Sequence, residues 1–241
     1  MFRSTPHLVA QTAQSRAPLG GFLGVAAVLT LLLAFAAFHL LDAAIMPLVL
    51  FSGIVTIAGY GLVQSYVHPV LGLCNAVTLL RAAMVAFLAG AVFAPHLSVW
   101  VVCAVATTAF ALDGVDGWLA RRTDLVSDFG ARFDMEVDAG LGAVISLWLL
   151  MSGTTGPEIL ILGFMRYAFV AASFVWPALQ APLPPSFRRK AICVVQIAAL
   201  ILLIFPLTPT VMVAPVGILA ALLLSWSFLA DVLWLTTRRT A

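Results

Sequence analysis

Long stretches of apolar residues, each on the scale of a bilayer crossing, dominate this 241-residue sequence. A bilayer core requires about 20 apolar residues per helix. Eight runs of this kind cover residues 19–41, 44–63, 76–93, 97–119, 133–151, 159–176, 191–205 and 211–235. Only 9% of the residues are charged, whereas a soluble domain is about a quarter charged. The sequence therefore predicts an all-α integral membrane protein with about eight transmembrane helices, and it excludes a water-soluble enzyme and a disordered chain.

The basic residues predict the orientation of these helices. With eight spans both termini lie on one side, and that side holds ten of the twelve basic residues. They are Arg3, Arg16, Arg121, Arg122, Arg132, Arg188, Arg189, Lys190, Arg238 and Arg239. Because Lys and Arg concentrate in cytoplasmic loops, the termini and the 120–132 loop are expected in the cytoplasm. We expect a multi-pass protein of a bacterial inner membrane, with no nucleic-acid partner.

The acidic residues are concentrated in one short segment. Seven of the ten lie between positions 113 and 138, and they are Asp113, Asp116, Asp124, Asp128, Asp134, Glu136 and Asp138. At about 100° per residue, one helical face carries Asp113, Asp116, Gly117 and Ala120. The following helix carries Gly130, Asp134 and Asp138 on one face and Glu136 on the opposite one. Because the connecting loop is short, the two helices are expected to be antiparallel neighbours whose four aspartates converge.

Four converging carboxylates at a membrane edge require a cation. Oxygen ligands suit Mg²⁺, Mn²⁺ or Ca²⁺, and four carboxylates exceed what one Mg²⁺ usually takes, so two ions are expected. A two-metal site beside small residues is suited to phosphate chemistry. The alternative interpretation is an acidic loop at the membrane surface whose acids pair with Arg121, Arg122 and Arg132. This alternative applies above all to the acids outside the aspartate quartet.

The segment resembles the signature of a family of membrane enzymes. Residues 113–138 read D-x-x-D-G-x-x-A-R-x8-G-x3-D-x3-D, and Asn75, Thr78 and Arg81 form an N-x-x-T-x-x-R element upstream. Both patterns resemble the CDP-alcohol phosphotransferase (CDP-alcohol phosphatidyltransferase) family. The resemblance implies a six-helix core within residues 65–241, preceded at 1–64 by a tail and two extra transmembrane helices. It also implies a homodimer.

The resemblance further implies an activity and a set of site residues. Family members transfer a substituted phosphate group from a CDP-linked donor to an alcohol and release CMP, with Mg²⁺ or Mn²⁺. The metal ligands implied are Asp113, Asp116, Asp134 and Asp138, and Asp138 is also the implied general base. The implied nucleotide-binding residues are Asn75, Thr78, Asp113, Gly117, Ala120, Arg121 and Gly130.

The acceptor is less constrained than the donor. CDP-diacylglycerol is the favoured donor and a small polar alcohol the favoured acceptor, in phospholipid biosynthesis. Ala139 follows the fourth aspartate, where some members that use glycerol 3-phosphate carry lysine, and this disfavours that acceptor. The candidate acceptor-binding cations are Arg81, Arg166, Arg188, Arg189 and Lys190. For these cations pairing with a structural acid or contact with anionic lipid remains open, and Asp231 is expected to pair with Arg238 or Arg81.

Two other functions fit the composition. An intramembrane Mg²⁺-dependent prenyltransferase also binds a diphosphate through aspartates, but its two aspartate motifs lie far apart in the chain. A non-enzymatic eight-helix transporter would place its acids near the middle of the membrane and show two related halves. Here the aspartates lie within 26 residues, the acids cluster at one face and no half-repeat is detected, so both functions are less favoured alternatives to the transferase.

Overall fold

The chain forms eight α-helices over the residues that a computed structural model describes, which are 18–41, 44–181, 183–184 and 186–237. The helices are α1 (Leu19–Leu40), α2 (Ile45–Ser65), α3 (Gly72–Ala91), α4 (Val99–Arg122), α5 (Asp128–Met151), α6 (Leu160–Val175), α7 (Phe187–Ile204) and α8 (Thr210–Thr237). Short 3-10 turns, Pro157–Ile159 and Pro177–Gln180, flank α6. The basic residues Arg3, Arg16, Arg238 and Arg239 lie outside the described residues.

Six of the described helices are long and apolar enough to cross a membrane. They are α1, α2, α3, α4, α6 with its preceding turn, and α8. α5 and α7 differ because charged side chains occupy their first turns, from Asp128 to Asp138 in α5 and from Arg188 to Lys190 in α7. The prediction of an all-helical, multi-pass membrane protein is therefore supported, and a full crossing by α5 and α7 stays a prediction.

Several helices, α3, α4 and α5 among them, extend beyond the apolar runs that predicted them. α4 continues to Arg122 and α5 begins at Asp128, so all four motif aspartates lie within helices. α3 begins at Gly72, four residues ahead of its apolar run, and so includes Asn75. The difference arises because hydropathy marks the hydrocarbon-embedded length, whereas backbone hydrogen bonding continues into the polar interface.

α3 lies at the centre of the helices that build the site. It packs against α1, α2, α4 and α5, and its contacts with α4 and α5 are more extensive than those between α4 and α5. Small residues allow this close approach. At Gly90, an added Cβ would lie 2.7 Å from Leu41 Cδ1 and 3.2 Å from the Pro47 ring. The expected pairing of α4 with α5 is thus mediated largely by α3.

α1 and α2 form an N-terminal hairpin that packs on α3. The two helices contact each other, and each contacts α3. The division of the chain at residues 64 and 65 remains a prediction, and residues 1–17 lie outside the described part.

The predicted orientation is testable with single cysteines in sealed cells. Thr123 lies exposed after α4 and Thr154 exposed after α5, on opposite sides of the predicted bundle. A membrane-impermeant maleimide is expected to label Thr154→Cys at once and Thr123→Cys only after permeabilisation, because basic loops face the cytoplasm. Two of the native cysteines, Cys74 and Cys103, are buried. Labelling of Thr123→Cys from outside would contradict the orientation.

Candidate active site

Two pairs of aspartates converge on one side chain of α3, Arg81. Asp113 and Asp116 lie one turn apart on α4, and Asp134 and Asp138 lie one turn apart on α5. The α5 pair follows a capped helix start, where Ser127 Oγ accepts a hydrogen bond from Gly130 N at 3.0 Å. This cap satisfies one of the free N–H groups of the first turn and fixes where α5 begins. The convergence that the helical faces predicted is therefore present.

A single arginine from α3 contacts all four carboxylates. Arg81 is wholly buried, and its Nη1 donates to Asp116 Oδ2 at 2.7 Å and to Asp134 Oδ1. Its Nη2 donates to Asp138 Oδ1 and lies 3.2 Å from Asp113 Oδ1. Nε donates to the Ala109 carbonyl at 3.1 Å. The planar guanidinium thus uses its fixed fork of donors to hold four acids in one place.

The carboxylate cluster has the chemistry of a divalent-cation site. Asp113, Asp116 and Asp134 each offer an oxygen, and these oxygens all lie within 4.8 Å of one another. An all-oxygen donor set of this kind fits Mg²⁺ or Mn²⁺. One guanidinium balances one of the four carboxylate charges, so the cluster keeps an excess of negative charge. Asp138 adjoins the cluster through Arg81, and its role as a ligand stays a prediction.

A cavity of about 990 Å³ opens onto the aspartates. Residues from α3, α4, α5, α6, α7 and α8 form its walls. All seven residues predicted to bind the nucleotide line it, namely Asn75, Thr78, Asp113, Gly117, Ala120, Arg121 and Gly130. The structure therefore brings these residues together around one space, and their contact with a nucleotide stays a prediction.

Close packing shapes the polar wall of the cavity. Thr78 Oγ1 donates to Asp116 Oδ2 at 3.0 Å and so links α3 to the first aspartate pair. A Cβ added at Gly130 would lie 3.2 Å from Asn75 Oδ1 and 3.1 Å from Ser127 Oγ. A larger side chain at Gly130 would therefore push against both polar groups. Glycine here keeps the backbone of α5 accessible to a bound group.

The predicted acceptor-binding cations occupy three kinds of environment. Arg81 belongs to the aspartate cluster, whereas Arg166, Arg189 and Lys190 line the cavity. Arg166 pairs with Glu136, the acid on the far face of α5. Arg188 lies 5.3 Å above the ring of Trp226 and pairs with an acid of α8.

The acid of α8 is Asp231, whose partners the sequence did not predict. It pairs with Arg188 and with Arg189, the latter at 3.3 Å. The expected pairing with Arg81 is wrong, because Arg81 is held by the four aspartates, and Arg238 lies outside the described residues. Asp231 also lines the cavity. The hydropathy pattern does not relate the start of α7 to the end of α8. The packing of the bundle brings these two helix ends together, so the sequence alone did not predict this ion pair.

These features define a class of protein: a helical membrane bundle with a cluster of carboxylates on the wall of a large cavity. A model of the CDP-alcohol phosphatidyltransferase family matches residues 71–233. The chain belongs to this family, whose members are membrane-embedded transferases of phosphate-containing groups and in general depend on a divalent metal. Neither curated proteins nor solved structures gave a match. α1 and α2 lie outside the matched residues.

The balance between Arg81 and the aspartates can be tested by unfolding. Replacement of Arg81 with methionine removes the cation and leaves four carboxylates without their partner. We expect a loss of about 3–5 kcal/mol in the free energy of unfolding in detergent with chelator, as for other broken buried ion pairs. Added Mg²⁺ or Mn²⁺ is expected to restore part of that loss by binding the same oxygens.

Arg166→Met is the matched control for this experiment. Its salt bridge with Glu136 is partly exposed, so its loss is expected to cost no more than about 1 kcal/mol and to show no dependence on metal. Equal losses in the two variants, or a metal response of equal size, would contradict the central role of Arg81.

Proposed function

We propose that the protein transfers a phosphatidyl group from CDP-diacylglycerol to a small polar alcohol and releases CMP, in phospholipid biosynthesis. The reaction takes place at the cytoplasmic face of a bacterial inner membrane. One observation carries this proposal: the four aspartates of the family signature converge at a single cavity, together with every residue that the signature relates to the nucleotide.

The reaction requires a proton acceptor for the alcohol. We assign this role to Asp138, whose side chain lines the cavity next to the other acids. Its carboxylate takes the hydroxyl proton, the acceptor oxygen forms a bond to the phosphorus that carries the diacylglycerol, and the bond from that phosphorus to the CMP oxygen breaks. The phosphatidyl group thus passes to the alcohol, and CMP leaves with the electron pair.

The remaining polar groups bind and orient the donor. Asp113, Asp116, Asp134 and Asp138 would hold Mg²⁺ or Mn²⁺, which when bound neutralises the diphosphate and polarises its phosphorus. Asn75 and Thr78 from α3 and Arg121 from α4 surround the space for the cytidine diphosphate. Gly117, Ala120 and Gly130 leave room for that group to approach the backbone.

The cationic end of the cavity supports a polar acceptor. Arg166, Arg189 and Lys190 line this end, and two acids, Glu136 and Asp231, pair with its arginines. The partial neutralisation leaves directed N–H donors rather than a large excess of positive charge. Such a surface suits an alcohol with several hydrogen-bonding groups.

An apolar pocket supports a lipid donor. A second pocket of about 320 Å³ lies between α6 and α8, next to the main cavity. The two share Met165, Phe169 and Phe228 in their walls. An apolar space that continues from a polar headgroup site suits an acyl chain attached to that headgroup.

The division of roles among the acids is tested by CMP release from CDP-diacylglycerol, with Mg²⁺ and a panel of polar alcohols. Acceptor-dependent release is expected from the native protein. Asp134→Asn is expected to abolish it, because a ligand is lost. Asp138→Asn should retain CMP binding and lose roughly 10²–10⁴ in turnover, as for a missing general base.

Glu136→Gln is the matched control, since Glu136 lies two residues from both aspartates and pairs with Arg166 instead. Its turnover is expected to stay within a few-fold of the native value. Damage equal to that of Asp134→Asn would refute the separation of the two faces of α5. Absence of CMP release with every alcohol would refute the proposed function.

The lipid pocket is tested by filling it. Ala172 lines the pocket, and Ala172→Trp is expected to exclude part of an acyl chain. Each buried CH₂ contributes about 0.8 kcal/mol, so two excluded methylenes raise the KM of a long-chain donor about tenfold. A short-chain donor should be affected less than twofold. Ala171→Trp is the control, because Ala171 is exposed like Ala172 and is absent from the pocket lining. Equal KM values for the long-chain donor in the two variants would contradict the role of the pocket.

A further inference from the structure

The segment that joins the N-terminal hairpin to α3 contains a buried tyrosine next to the cavity. Tyr66 follows the last residue of α2, is 6% exposed, and precedes the residues that the family model matches. Neither its position nor its residue type belongs to the motifs that define the site. Its contacts nevertheless reach two of the helices that form the cavity.

The hydroxyl group of Tyr66 fixes the orientation of the Asn75 amide. Tyr66 Oη lies 2.9 Å from the carbonyl oxygens of Val70 and of Leu71, which accept hydrogen bonds and cannot donate, so the hydroxyl hydrogen points to them. Its oxygen is then free to accept, and Asn75 Nδ2 donates to it at 3.1 Å. Asn75 Nδ2 also donates to the Leu71 carbonyl at 2.7 Å.

Both hydrogens on Asn75 Nδ2 are therefore directed at acceptors in the segment between α2 and α3, namely Tyr66 Oη and the Leu71 carbonyl. Oδ1, the other end of the amide, is directed at Gly130, whose added Cβ would lie 3.2 Å away. Asn75 is 2% exposed and lines the cavity. A rotation of the amide by half a turn would place Oδ1 against two acceptors, which is unfavourable. Asn75 thus presents an acceptor, and not a donor, to a group bound in the cavity.

The ring of Tyr66 makes a second connection, to the start of α5. It packs edge-on against Phe129 with ring centroids 5.7 Å apart, and Phe129 directly precedes Gly130. Phe129 also lies 3.5 Å from the position of an added Cβ at Gly61 in α2. Tyr66, directly after α2, is therefore connected to two residues of the cavity wall. It reaches Asn75 through a hydrogen bond and Gly130 through the neighbouring Phe129.

We propose that Tyr66 is a positioning residue for the cytidine nucleotide, and that through it the N-terminal hairpin sets the geometry of the nucleotide end of the cavity. This inference rests on the proposed function, in which Asn75 contacts the nucleotide. The group recognised is a hydrogen-bond donor of that nucleotide, because Asn75 Oδ1 accepts. A fixed amide avoids the loss of affinity that a freely rotating one would incur on binding.

The test measures CDP binding to the full-length protein in detergent with Mg²⁺, alongside turnover at saturating CDP-diacylglycerol. Tyr66→Phe keeps the ring and removes only the hydroxyl group. Its Kd for CDP is expected to rise about five- to tenfold, as for one lost hydrogen bond, while kcat changes less than twofold. Tyr60→Phe is the matched control: Tyr60 lies in α2, which ends just before Tyr66, is 70% exposed, and should leave Kd unchanged.

A double-mutant cycle separates positioning from general stability. If Tyr66 acts through Asn75, then Tyr66→Phe should add no further loss of CDP affinity in an Asn75→Ala background. An unchanged Kd in Tyr66→Phe, or additive losses in the double variant, would overturn the inference and leave the proposed function intact. A native protein that neither binds CDP nor releases CMP would overturn the proposed function, and the inference with it.

A second substitution keeps the test decisive if Tyr66→Phe does not fold. Asn75→Gln retains the amide and moves its nitrogen away from Tyr66 Oη by one methylene. The Kd for CDP is expected to rise at least five- to tenfold, because the hydrogen bond to Tyr66 Oη is lost and the acceptor oxygen is displaced together with the nitrogen. Native affinity in Asn75→Gln would overturn the inference.

Discussion

The buried guanidinium of Arg81 is the interaction on which the rest of the structure depends. A charged group inside a membrane bundle is costly unless ionised partners and hydrogen bonds surround it. The four aspartates and the Ala109 carbonyl provide those partners. They can do so because α3 packs against both α4 and α5. The position of α3 and the positions of the acids therefore depend on one another. Because four carboxylates surround a single arginine, the cluster keeps a surplus of negative charge and is able to bind further cations.

The N-terminal hairpin has a closer relation to the cavity than its place outside the family match suggests. Its second helix ends in contact with Asn75 and with Phe129, at the starts of α3 and α5. The other end of the hairpin packs on Gly90, near the last turn of α3. Contact at both ends of one helix holds α3 along its length. Precision at the aspartates depends on that rigidity, because catalytic groups must stay within about 0.5 Å of their productive positions.

The sequence predicted the composition of the site better than its internal contacts. The spacing of Asp113, Asp116, Asp134 and Asp138 was sufficient to predict one cluster, because helical periodicity relates residues within a single element. The apolar runs predicted the eight helices for the same reason, although the starts of α3 and α5 lie outside them. Contacts between distant elements were not predictable in this way. The pairing of Asp231 with Arg188 and the contact of Tyr66 with Asn75 follow from how the helices pack, which no local pattern records.

The order of Arg81 and its acids along the chain has a consequence for biogenesis. α3 leaves the ribosome before α4 and α5, so its arginine enters the bilayer ahead of every partner that neutralises it. An isolated arginine at the centre of an inserting helix costs about 2.5–3.5 kcal/mol. The apolar residues of α3 itself, with a mean hydropathy of 1.7, offset this cost until Asp113 and Asp116 are synthesised. α5 is not among the helices apolar enough to cross a membrane, and its aspartates Asp134 and Asp138 are synthesised only after Arg81, with which they pair. Insertion and assembly of this bundle are consequently one coupled process, directed from the N-terminus.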